Sequence, residues 1–145
     1  MTGFFRQARK ALATEIEKFQ NRNFLEATMA ASALVALADG DVNLAELNII
    51  DQALDTIREL RIYDPHEAVD IYRDYMDGLK ASPARARIEI LEEVAKIADD
   101  PRAARLLVRV CVAIVKADDD ITEKEKAVIG DLCDTLRLNP GEVGL

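Results

Sequence analysis

The sequence predicts an all-α fold, a single-domain bundle of about seven helices with an internal pseudo-twofold duplication of helix–acidic loop–helix units. Three observations predict it. The 145 residues are half apolar, only 5% aromatic and free of Trp, and Ala, Leu, Ile, Glu, Lys and Arg dominate. These residues lose little on entering a helix. Apolar positions recur at three- and four-residue steps, with no run of strand alternation. Finally, the stretch Ala38-Asp39-Gly40-Asp41-Val42-Asn43-Leu44-Ala45-Glu46 returns 79 positions later as Ala117-Asp118-Asp119-Asp120-Ile121-Thr122-Glu123-Lys124-Glu125. In that register Asp39 pairs with Asp118, Asp41 with Asp120, Glu46 with Glu125, Val42 with Ile121 and Ile50 with Ile129. Acidic matches with apolar positions in phase argue for duplication.

Phe4, Phe5, Ala8, Leu12, Ile16 and Phe19 mark an amphipathic helix over about residues 4–20. Residues 1–23 carry Arg6, Arg9, Lys10, Lys18 and Arg22 against Glu15 and Glu17, a net +3 on a chain whose net charge is −8. Such a helix either docks on the core or rests its basic apolar face on an anionic membrane surface, the contact then being through residues 1–20.

The first half-repeat spans residues 24–60. Its leading helix, Phe24 to Ala38, is almost entirely apolar from Ala30 onward and suits the centre of a bundle. Gly40 stops it. Asn43 and Glu46 have the spacing of a capping box, and Leu44, Leu47, Ile50, Leu54 and Ile57 give the following helix one apolar stripe. The middle helices span residues 64–98. Asp64-Pro65-His66-Glu67 is a start signal for a helix with Val69, Tyr72, Met76 and Leu79 inward. Ser82-Pro83 starts another, with Ile88, Leu91, Val94, Ala95 and Ala98 inward.

The second half-repeat spans residues 102–138. Asp100-Pro101 opens it, and Leu106, Leu107, Val110, Cys111, Ile114 and Val115 mirror the earlier central helix. Thr122 and Glu125 repeat the capping box, Val128, Leu132 and Leu136 face inward, and Asn139-Pro140-Gly141 ends the run. Short connections make sequential helices antiparallel neighbours.

Each acidic loop offers two carboxylates two residues apart and a third at the next helix start. Hard divalent cations take several oxygen ligands, carboxylates among them. Asp39, Asp41 and Glu46 form one candidate ligand set, and Asp118, Asp120 and Glu125 the other. A pseudo-twofold would bring both to one centre, and the pattern does not separate calcium, magnesium, manganese or zinc. The same residues also serve as turn formers and helix caps without any metal. EF-hand spacing is absent, and Asp119 stands where the first loop has the permissive Gly40.

Other chemistry is sparse. His66, the single histidine, falls at an exposed helix start. There is no Gly-rich phosphate loop and no HExxH. Cys111 and Cys133 lie in apolar helical pattern without CxxC spacing and read as buried reduced thiols. The acidic balance argues against general nucleic-acid binding and suits cations or basic partners. No transmembrane-length run or signal peptide is expected, so the cytoplasm is the default compartment.

The ADG-type loop before a capped helix, its second copy, the Phe4-Phe5 start and the closing Leu138-Asn139-Pro140-Gly141-Glu142-Val143-Gly144-Leu145 resemble the TerB family of tellurite-resistance proteins, over the whole chain. The resemblance implies an all-helical, internally pseudo-symmetric fold and a metal site at Asp39, Asp41, Glu46, Asp118, Asp120 and Glu125. It also implies a cytoplasmic stress-response protein that links integral-membrane and calcium-binding members of the tellurium-resistance system at the inner face of the membrane. A non-enzymatic adaptor is therefore the leading expectation. A metal-dependent enzyme using the loop carboxylates and a thiol-based tellurite or redox sensor using Cys111 and Cys133 are the rivals.

Overall fold

The structure, a computed structural model, describes residues 22–38, 65–116 and 121–143. These form α1 (residues 22–36), α2 (Pro65–Ala81), α3 (Pro83–Ala95), α4 (Pro101–Lys116), α5 (Glu123–Leu136) and a closing 3-10 turn, Pro140–Val143. Among the described residues there is no strand. The amphipathic segment 4–20, the helix expected after Asn43 and the Asn43–Glu46 cap lie outside the described residues. The count of seven helices extends to those residues as well.

α1 and α4 are the interior of the bundle. Leu25, Ala27, Ala30, Ala31, Ala33 and Val35 of α1 have no exposed surface. Leu107, Val108, Cys111, Ile114 and Val115 of α4 are equally buried. Ser32 of α1 donates its hydroxyl to the Thr28 carbonyl at 2.7 Å and lies beside the Cys111 thiol. A helix that is apolar all round is stable only inside a packed core, and the sequence pattern of α1 dictates that place.

α2 packs on α3, α3 on α5, and α5 on α4. Tyr72, Met76 and Leu79 of α2 are buried as their spacing predicts, but Val69 is half-buried and Ala68 takes the inner position. In α3 the expected face holds in part: Val94 is buried and Leu91 and Ala98 pack partly buried against the core, but Ile88 and Ala95 do not face inward. Ile88 is 60% exposed and Ala95 is exposed, while Ala86, Ile90 and Val94 face inward, continued by Ile97. Two apolar rows run side by side on this helix. Packing against α2 and α5 selects the row that leaves Arg87 placed to pair with Asp131 of α5.

Helix ends follow local chemistry. Asp100 Oδ1 accepts from the backbone N–H groups of Arg102 (3.1 Å) and Ala103 (3.3 Å), capping α4. α5 stops at Leu136, two residues short of the expected Leu138. Arg137 adopts the left-handed conformation (φ 58°), and the Leu138 N–H reaches the Cys133 carbonyl at 2.8 Å. That is a Schellman closure with arginine where glycine is usual. Asn139 Oδ1 then accepts from the Gly141 N–H at 3.1 Å, turning the chain into the 3-10 segment.

Candidate functional site

Of the six candidate ligands, Glu125 is among the described residues. Asp39, Asp41, Glu46, Asp118 and Asp120 lie outside them. Glu125 is 4% exposed, and its Oε1 accepts from the Thr122 backbone N–H at 3.0 Å. The Thr122 hydroxyl accepts in return from the Glu125 N–H at 3.2 Å. The predicted capping box is therefore formed, with both reciprocal bonds present. It fixes the start of α5 at the exit of the second acidic loop. The cap engages one of the two carboxylate oxygens, so the donor chemistry still suits a hard cation. Among the described residues no group of three or more His, Cys, Asp or Glu has metal-binding geometry.

A cleft of about 710 Å³ opens between α1, α2, α3 and α5. Leu34, Leu79 and Val128 give it an apolar floor, and Arg87 and Asp131 form an ion pair on its wall. Two other lining residues matter for the loops. Ala38 is the last described residue before the first acidic loop, and Lys124 is two residues past the end of α5's N-terminal connection at Thr122. The exit from α1 and the entry to α5 thus share one cleft.

Cys111 and Cys133 are free and buried. Burial, then the neighbouring Cys133, pushes the Cys111 thiol up to about 12, while the adjacent Ser32 hydroxyl acts the other way. Cys133 is also raised, by burial and then by Asp134 and Glu142. Thiolate chemistry at neutral pH needs the opposite environment, so these thiols match the expected structural role. His66 is exposed in the first turn of α2, as its position predicts.

Two features escaped the sequence reading. The Glu26 carboxyl of α1 stands beside the Glu93 carboxyl of α3, and Lys96 donates to Glu93 Oε2 at 2.8 Å, leaving Glu93 Oε1 buried without a hydrogen-bond partner. Burial, then the adjacent Glu93 carboxyl, raises Glu26 above its ordinary value. The same carboxylates stand near Tyr75, whose phenol burial and then those charges push up to about 12. The pairing joins residues 67 positions apart, which periodicity cannot reveal. The second feature was legible. Arg102, Arg105, Arg109 and Lys116 occupy the solvent face of α4, opposite the apolar stripe already recognised.

Fold and site together define a helical protein built around two apolar central helices, with an acidic stretch of sequence following α1 and another preceding α5. The family model described as tellurite resistance protein TerB matches residues 25–145, and the chain belongs to that family. A similar protein, the tellurium resistance protein TerB of an Alcaligenes species, is 23% identical over 108 residues, covering 74% of this chain and 88% of the relative. No solved structure matches the chain.

Proposed function

We propose that this chain acts in tellurite resistance as a non-enzymatic adaptor whose paired acidic loops form one cation-binding or partner-binding face. The observation that carries the reading is the sharing of one cleft by Ala38, which leads into the first loop, and Lys124, which follows the second. The contact between Ser32 and Cys111 supports the same symmetry. These two residues are 79 positions apart, the offset that relates the loops, and a two-fold axis brings equivalent residues together where it passes between elements.

Asp39, Asp41 and Glu46 of one half and Asp118, Asp120 and Glu125 of the other would hold a divalent cation there. The cation would neutralise repulsion between the loops and supply a hard charge for oxygen donors of a partner. Other tellurium-resistance proteins, an integral-membrane member among them, are the partners this reading assigns. The reading puts the protein in the cytoplasm and at the inner membrane face, with residues 1–20 as the peripheral contact. No helix among the described residues is long and apolar enough to cross a membrane.

The test pairs calorimetric titration of calcium, magnesium, manganese and zinc with tellurite survival of cells carrying wild type or Asp39→Asn/Asp118→Asn. Saturable binding lost in the variant, together with lost survival and lost capture of its partners, supports the adaptor. Survival unchanged by the variant sinks it.

A further inference from the structure

We propose that the solvent face of α4 is a docking surface for anionic phospholipid headgroups. Arg102, Arg105, Arg109 and Lys116 are all exposed. Their spacing of three, four and seven residues holds them within an arc of about 60° and along about 21 Å of helix. Among the described residues none of the four makes an ion pair, although six other ion pairs are present. The first turn of α4 holds no acidic residue, and Arg102 places a positive charge at the positive end of the helix dipole. In a chain of net charge −8, four exposed cations on one helix face are not a consequence of composition, and the Asp100 cap offsets only their amino-terminal end.

Three anionic partners compete for such a row. A protein interface takes most of its energy from apolar and aromatic anchors. The one large exposed hydrophobic side chain among the described residues is Ile88, on α3 rather than α4. A nucleic acid is held along a dense line of phosphates by a basic domain, and four cations on an acidic domain do not make one. A headgroup layer needs no apolar anchor. It attracts each juxtaposed cation locally, and guanidinium groups match its phosphates in pairs of hydrogen bonds. The opposite face of α4 is core, so the row is presented on a rigid backbone.

The experiment is co-sedimentation of the full chain with vesicles of equal phosphatidylglycerol and phosphatidylcholine at low ionic strength. Phosphatidylcholine vesicles and a duplex DNA serve as parallel probes. Arg105→Gln/Arg109→Gln should weaken vesicle binding about 30-fold, the effect of about two lost cations. Unaltered thermal unfolding would show that the exposed substitutions leave the fold intact. Wild-type binding should vanish on phosphatidylcholine and fall steeply at high salt. A second variant, Arg6→Gln/Arg9→Gln/Lys10→Gln, separates this surface from the proposed contact at residues 1–20. Binding lost in that variant and retained in Arg105→Gln/Arg109→Gln overturns the α4 surface, leaving the amino-terminal contact standing. No vesicle binding, or tighter binding to DNA, overturns it as well.

Discussion

Glu26 shows how a single carboxyl carries both packing and pH dependence. Its neighbour Glu93 presents Oε1 in a buried position without a hydrogen-bond partner, so a proton on Glu26 is the group that relieves the pair. The folded value is raised, so the stabilisation is complete below the ordinary carboxyl value and is lost as pH rises through the raised one. Glu26→Gln supplies a permanent donor of the same shape. Thermal unfolding from pH 4 to 8 should show the variant more stable at pH 7 and the gap closing toward pH 4. A difference independent of pH would contradict the shared proton. Thr28 gives a second test at this scale. Its hydroxyl is buried in α1 without a partner. Thr28→Val removes that cost and keeps the shape. It should raise stability by roughly 1 kcal/mol, about 2–4 °C in Tm for a chain of this size.

At the element scale, the ends of the helices are more readable than their faces. Thr122 and Glu125 are three residues apart, and the box they form uses only local backbone geometry, so the pattern suffices. Thr122→Ala should cost about 1 kcal/mol and fray the start of α5, visible as faster amide exchange over residues 123–126. An unchanged exchange rate there would show that tertiary packing, not the cap, holds the turn. Pro65, Pro83 and Pro101 likewise mark three helix starts through their fixed φ and missing N–H. The inward face of α3 was readable only in part: Val94 was expected and is buried, but Ile88 competes in hydropathy with Ile90, which takes the inner place. The decision belongs to α2 and α5, at long sequence separation. The Schellman end at Arg137 was missed for a related reason. The sequence shows Asn139-Pro140-Gly141 as the stop, whereas the chain turns earlier at a residue that tolerates φ 58° only under constraint. Arg137→Gly should gain up to about 1 kcal/mol, and a loss would show that the arginine side chain outweighs its backbone cost.

At the scale of the whole molecule, the question is whether two halves make one centre. The sequence contains the duplicated acidic stretch, but periodicity alone does not say on which side of the bundle each copy emerges. The shared cleft and the Ser32–Cys111 contact bear on that geometry, and mutational coupling is the energetic counterpart. If Asp39 and Asp118 ligate one cation, removing either carboxylate damages the same site. The stabilisation conferred by the cation follows its affinity as RT ln(1 + [L]/Kd), so Tm at a fixed excess of metal reports the site directly. Asp39→Asn and Asp118→Asn should each abolish most of the metal-dependent Tm rise, and the double variant should lose little more. Two independent sites would each retain their own share, and the losses would add, as they do for positions without common partners. The same cycle without metal supplies the control. Two carboxylates facing one another repel, so in its absence either substitution should raise Tm and the second should raise it less. Additive losses with metal, together with no gain without it, would place the loops apart and leave Glu125 only its role as the cap of α5.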